Sequence, residues 1–235
     1  MSSTFFQRTF LIVLLISIVS VANSQEYKYE IGGMAGGAFY MGDLNKNTPF
    51  KELGSSIGAV FRYNPHFRVA IKANLTWAQV SGSTEGLENV FPDQAQGSFS
   101  RNLFDLGGQF EFNFLPYSDK FAYLNTKRLS PYILAGIGLT VAPGGETFFG
   151  PNIPIGIGVK YKMKNRLNLG LEFTVRKLFG DNFDVTDDGN GFLDDPYRMQ
   201  GSLFKNKDWY SFLHLSLTWD FGPRNRPCNN IKSIY

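Results

Sequence analysis

Leu167-Asn168-Leu169-Gly170-Leu171-Glu172-Phe173-Thr174-Val175-Arg176 decides the fold. Every odd position in this stretch is a bulky apolar residue, and every even position is polar or glycine. Strict alternation is the signature of a β-strand, because successive side chains point to opposite faces. Both faces are informative. The apolar one is too bulky and too continuous for water, and the other carries Glu172 and Arg176.

The same period recurs along the chain. Trp209, Leu213, Leu215, Leu217, Trp219 and Phe221 oppose Tyr210, Phe212, His214, Ser216, Thr218 and Asp220. Phe104, Leu106, Phe110, Phe112 and Phe114 oppose Asp105, Gln109, Glu111 and Asn113. Phe67, Val69, Ile71, Ala73, Leu75 and Trp77 oppose Arg68, Lys72, Asn74 and Thr76. Further apolar faces run Ile133 to Val141, Ile153 to Tyr161 and Ile57 to Tyr63, and a glycine-rich first strand spans about residues 27–40. These make eight strands, most of them as long as the roughly 9–11 residues that cross a bilayer at a tilt. No helical period competes with them after residue 24.

Composition agrees. The chain has 235 residues, 16% aromatics, 25 Gly and only 18% charged residues, with a formal net charge of +3. So many aromatics exclude a disordered chain, and so small a charge excess excludes a nucleic-acid footprint. One Cys forms no internal disulfide, and there is no Cys/His cluster for zinc. Residues 1–24 read as a cleaved signal peptide. Arg8 precedes the apolar run 10–19, and Ala22-Asn23-Ser24 offers small residues before Gln25. That run is too short to span a bilayer. The expected organisation is therefore a signal peptide at 1–24, a barrel at 25–221 and a periplasmic tail at 222–235 containing Cys228.

The connections alternate between short turns, such as 64–66 and 162–166, and longer loops rich in Gly, Asp, Asn and Pro at 41–54, 82–98, 142–152 and 180–207. Residues 116–129 form a longer turn on the short side. Eight strands so joined predict an all-β, eight-stranded antiparallel transmembrane barrel of the outer-membrane type, both ends of the chain on the periplasmic side. A soluble barrel would bury the apolar face inside. Here that face is nearly free of charge. Aromatics gather at predicted strand ends: Tyr63, Phe67, Phe112, Phe114, Tyr132, Tyr161, Trp219 and Phe221 at one end, Phe39, Trp77, Phe179 and Trp209 at the other. Such girdles mark bilayer interfaces.

The polar faces carry five acids (Glu30, Asp105, Glu111, Glu172, Asp220) and five bases (Arg62, Arg68, Lys72, Lys160, Arg176). A barrel of eight strands has an interior that side chains fill, and buried charges must be paired. The balance predicts an ion-pair network plugging the barrel, with a narrow ion pore as the alternative. No enzymatic activity or small-molecule substrate is expected. His214 shares the interior face with Ser216, a combination a hydrolase can use, but no third orienting residue is evident and a hydrogen-bonded interior His is the simpler reading. His66 lies in a turn. The stretch 184–195 crowds Asp184, Asp188, Asn190 and Asp195 around glycines, in partial likeness to a calcium loop; a solvated acidic loop is the alternative, and no other cofactor is indicated.

Several segments resemble a known family. They are Tyr40-Met41-Gly42-Asp43-Leu44-Asn45, Pro131-Tyr132-Ile133-Leu134-Ala135-Gly136-Ile137-Gly138, Ile153-Pro154-Ile155-Gly156-Ile157-Gly158-Val159-Lys160-Tyr161, and Asp208-Trp209-Tyr210-Ser211-Phe212. In order and spacing they look like the PorG-like outer-membrane barrels (the DUF6089 group) linked to type IX secretion. The resemblance implies a protein of the cell outer membrane that serves as a structural and interaction component of that secretion and gliding apparatus. Its implied partners are outer-membrane lipid and periplasmic lipoproteins of the apparatus. The long 180–207 loop and the single Cys of the tail depart from the pattern. The alternative is a small barrel of the OmpA, OmpX and OmpW kind with surface-binding loops or a narrow pore.

Overall fold

The computed structural model describes residues 28–41, 53–83, 98–118, 125–144, 147–163, 166–179 and 209–222. The expected signal peptide, the 184–195 loop and all of the tail except Gly222 lie outside the described residues. Eight strands follow one another: β1 (Tyr29–Met41), β2 (Gly54–His66), β3 (Val69–Ser83), β4 (Ser98–Asn113), β5 (Leu129–Ala142), β6 (Phe148–Lys162), β7 (Leu167–Leu178) and β8 (Trp209–Phe221). Each pairs antiparallel with the next, and β8 returns to β1, so the sheet closes into a barrel. The closing seam runs unbroken from Tyr29↔Phe221 to Met41↔Trp209. Closure removes the open edge that a sheet would otherwise present to lipid.

Alternation sets what each face meets. Leu75, Leu106, Ile155, Leu171, Leu215 and their counterparts project outward and are about half exposed or more. Ile137, at 75%, is the most exposed. Glu30, Arg62, Lys72, Glu111, Lys160, Glu172 and Arg176 point inward and are buried. This polarity is the reverse of a water-soluble barrel and fits the outer-membrane type, where apolar side chains face lipid and polar ones the interior.

Four details differ from the sequence expectation. β6 begins at Phe148, so the connection from β5 is only 143–147. Pro151 lay in the expected loop 142–152, but a strand tolerates proline where it need not donate to the ladder; further along β6 the β5–β6 ladder skips Gly136 and Ile137 opposite Pro154 and Ile153. Tyr132 and Phe67 are buried and not part of the outer girdle. Tyr132 is even-numbered on a strand whose odd residues face lipid, and Phe67 lies in the two-residue turn between β2 and β3. Phe39 is buried as well.

The two ends of the barrel are built differently. Near the loop end, the β3–β4 hairpin continues six residue pairs past Trp77↔Phe104. Its outward residues there include Gln79, Ser100 and Asn102, while Ala78, Val80 and Leu103 pack inside with Ala38, Tyr40, Ala142, Phe148, Leu178, Tyr210 and Phe212. Polarity inverts within one continuous hairpin. At the turn end, Tyr117 folds back beneath the strands. It is buried, its N–H donates to Phe67 O at 3.1 Å and its hydroxyl donates to Asn168 Oδ1 at 2.9 Å.

Candidate functional site: the interior charge network

The lumen between these two closures is filled with charged and amide side chains, held in layers by the strand register. At the turn end, Lys162 Nζ meets Asp220 Oδ2 at 2.7 Å, and Asn168 Nδ2 donates to Asp220 Oδ1 at 2.7 Å. The ring of Tyr117 lies beneath Lys160 and Lys162, whose ammonium groups are 5.6 and 5.1 Å from its centroid. In the next layer, Glu30 accepts from Arg62 Nη1 at 2.6 Å, Asn64 Nδ2 at 2.8 Å and Thr218 Oγ1 at 3.0 Å.

Glu111 is the hub. Its Oε2 lies 2.6 Å from Lys160 Nζ and 2.9 Å from Arg62 Nε, and its Oε1 lies 3.8 Å from Lys72 Nζ. Arg62 thus bridges Glu30 and Glu111, while Lys72 bridges Glu111 and Glu172, its Nζ 2.6 Å from Glu172 Oε2. Tyr132 donates its hydroxyl to the same oxygen at 2.6 Å, and Lys160 sits over its ring at 4.6 Å. The ring fits because residue 158 is glycine: a Cβ there would lie 2.5 Å from Tyr132 Cζ.

Asp105 organises the layer toward the loops. It accepts from Tyr210 Oη at 2.7 Å, Asn152 Nδ2 at 2.8 Å and Asn74 Nδ2 at 3.2 Å, and Arg176 Nη2 lies 3.2 Å away. Arg176 also stacks on Phe212, 4.4 Å from the ring centroid, which joins the ionic layers to the apolar cluster above. Arg101, which the sequence reading omitted, is buried at that level and donates to Ala142 O at 2.8 Å.

Nine of the ten charged residues singled out in the sequence lie inside. Arg68 does not. It is exposed in the β2–β3 turn and donates to Phe114 O at 2.8 Å, because the alternation of β3 starts only at Val69. Lys162 takes its place in the balance. The sequence assigned it to a turn, but β6 runs on to include it. Every carboxylate among the described residues is therefore interior and ion-paired with Arg62, Lys72, Lys160, Lys162 or Arg176, while Arg101 is a sixth buried base bonded to a backbone carbonyl.

A cavity of about 10 Å³, lined by Met34, Val60, Arg62, Lys72, Glu172, His214 and Ser216, has room for roughly one water. His214 Nε2 shares a hydrogen bond with Ser56 Oγ at 3.0 Å, while Ser216 donates to Gly170 O at 3.4 Å. His214 and Ser216 thus have separate partners, and His214 is buried against Phe212, ring centroids 4.8 Å apart. His66 accepts the Arg68 N–H at 3.3 Å within its turn. The proposed calcium residues Asp184, Asp188, Asn190 and Asp195 lie outside the described residues.

The model of the family described as "Domain of unknown function (DUF6089)" matches residues 7–231. No curated protein matches the chain. Among solved structures, the barrel is similar to that of Neisserial surface protein A (NspA), with a TM-score of 0.50 and 12% identity over 82% of this chain and 97% of that one. Ail of Yersinia pestis gives 0.44 and 11% over 83% and 98%. The N-terminal β-barrel domain of Pseudomonas aeruginosa OprF gives 0.42 and 12% over 84% and 100%. At such identities the likeness concerns the fold.

Proposed function

We propose that this chain, which belongs to the DUF6089 family, is a non-conducting, non-enzymatic barrel of the cell outer membrane that acts as a structural and interaction component of the type IX secretion and gliding apparatus. The observation that carries the non-conducting part is the filled interior. Five ion-paired cations and carboxylates, an apolar cluster toward the loops and Tyr117 at the turn end occupy the path an ion would need. Dehydrated charges locked in pairs are a barrier to permeation, since separating them costs several kcal/mol per ion. The outer-membrane location is supported by the lipid-type outer face and by the likeness in fold to NspA. The secretion role is supported by the resemblance of the segments at 40–45, 131–138, 153–161 and 208–212 to the PorG-like barrels.

With its lumen closed, such a barrel works through its ends. The expected partners are outer-membrane lipid around the wall and periplasmic lipoproteins of the apparatus at the turn end. Chemical crosslinking in isolated outer membranes followed by affinity capture tests this. Recovery of ring lipoproteins supports the secretion role. A deletion strain with unchanged protein export and surface motility would remove it and leave a small outer-membrane barrel with surface-binding loops.

A further inference from the structure

Among the described residues, charge outside the lumen is of one sign. All five carboxylates among the described residues are interior. The described bases outside the lumen are Lys28, Arg68, Lys127, Arg128, Arg166 and Lys177, and all but Lys177 are at the turn end. Arg68 stands in the β2–β3 turn, Lys127 and Arg128 close the β4–β5 connection, Arg166 stands in the β6–β7 turn, and Lys28 precedes β1. Every connection at this end therefore contributes a base, and these connections are spaced two strands apart around the whole circumference. Arg68, Lys127, Arg128 and Arg166 are exposed.

The collar is set against an aromatic belt. Tyr29 packs on Phe61, Tyr63 and Phe221 with ring centroids 5.4–6.0 Å apart, and Phe112 meets Phe114 edge-on at 5.9 Å. Trp219 and Tyr161 project outward at the same level. The guanidinium of Arg166 lies 5.8 Å from the Trp219 ring centroid, which holds it against the outer wall of the barrel. Arg68 is likewise fixed by its bond to Phe114 O. Aromatic rings of this kind mark the headgroup level, and long basic side chains beside them reach the phosphates while their stems stay in apolar contact. Guanidinium groups also match phosphate oxygens in geometry.

We propose that this collar binds the phosphates of anionic phospholipids, of the phosphatidylglycerol or cardiolipin class, in the leaflet on the turn side; the inference rests on the reading of the chain as a membrane barrel. A ring of bases around the full circumference at one level fits a planar layer of headgroups better than an acidic protein, which would meet one side of the rim. The collar fixes the depth of the barrel at that interface and gathers a shell of anionic lipid around the surface offered to periplasmic partners.

The test uses the full chain with Trp77→Phe and Trp209→Phe, so that Trp219 reports alone. The protein is refolded into phosphatidylcholine vesicles containing either brominated phosphatidylglycerol or brominated phosphatidylcholine, and quenching is compared. A headgroup held by one base gains about fivefold in preference. Quenching is therefore expected to favour the anionic lipid by about that factor at low salt. The preference is expected to shrink in 0.5 M salt, as screening shortens the reach of the charges. It is expected to vanish when Arg68, Lys127, Arg128 and Arg166 are all changed to Gln. Equal quenching by the two lipids, or a preference insensitive to salt, overturns the proposal and leaves an acidic protein as the occupant; the salt series needs no variant. If Trp219 stays open to aqueous iodide and untouched by either brominated lipid, the membrane reading fails, and the collar with it.

Discussion

Replacing Glu111 by Gln tests whether the interior is a dry ionic plug. The side chain is fully buried and faces three cations, Lys160 at 2.6 Å, Arg62 at 2.9 Å and Lys72 at 3.8 Å. Gln keeps the shape and removes the charge. The three cations do not suffer equally. Arg62 retains Glu30 at 2.6 Å, and Lys72 retains Glu172 at 2.6 Å. Lys160 has no second carboxylate in an ion pair among the described residues, so the loss concentrates on one buried ammonium left with the Tyr117 and Tyr132 rings. Removing one partner of a buried pair costs about 3–5 kcal/mol, against about 0–1 for an exposed one.

Unfolding by guanidinium in lipid vesicles, followed by tryptophan fluorescence and extrapolated linearly, reads the difference. Glu111→Gln is expected to lower stability by about 3–5 kcal/mol. The double variant Glu111→Gln with Lys160→Met removes the stranded charge along with its partner. It is expected to be more stable than the two single losses added together, with a coupling on the order of 2 kcal/mol. A cost for Glu111→Gln below about 1 kcal/mol, or strict additivity in the double, would refute the reasoning: water would then reach these groups, and the plug would be a hydrated lining.

The remaining expectations concern the wall, the packing and the lumen. Leu215→Arg, on the lipid face midway between Trp209 and Trp219, should destabilise the barrel by about 2–4 kcal/mol in the same vesicle assay. Gln79→Arg, on the hairpin beyond the polarity switch, should change stability by less than about 0.5 kcal/mol, as at an ordinary surface position. Gly158→Ala should displace the Tyr132 ring and weaken its bond to Glu172, lowering stability by about 1–3 kcal/mol, with Gly158→Ala/Tyr132→Phe losing less than the sum. Planar-bilayer recordings of the wild-type barrel should show no unitary conductance steps, and steady steps would contradict the filled interior.

The sequence carried the fold because the bilayer imposes it twice, once on each face. Leu167 to Val175 alternates cleanly, since an outward charge meets hydrocarbon and an inward apolar residue forfeits a polar partner. Legibility fails where that double constraint ends. At Phe67 and Arg68 the chain turns, the parity of β3 no longer applies, and the assignment of Arg68 to the interior was wrong. Lys162 and Tyr132 were readable in principle. Each is even-numbered next to outward Tyr161 and Ile133, but strand limits drawn too short hid the first, and the general placing of aromatics at girdles hid the second. Tyr117 was not readable. Its position depends on residues 114–118 folding back under the barrel, a tertiary event that leaves no period in the sequence.

Pairing inside the barrel is likewise set by more than composition. Five acids against six bases, Arg101 included, says that charges nearly cancel but not which meets which. Register supplies part of the answer: Glu30 lies opposite both Arg62 and Asp220, so one neighbour attracts it and the other repels it. The repulsion is relieved because Lys162 holds Asp220 and Thr218 donates to Glu30. Between strands that are not paired no register applies, and two of the hub's three cations come from such strands. Glu111 on β4 collects Arg62 from β2, Lys72 from β3 and Lys160 from β6. A carboxylate that ties three strands resists any widening of the barrel, since opening the lumen would strand charges that water could solvate only by flooding it. With the lumen filled in this way, the exposed charges among the described residues are the bases Arg68, Lys127, Arg128 and Arg166 at the turn end.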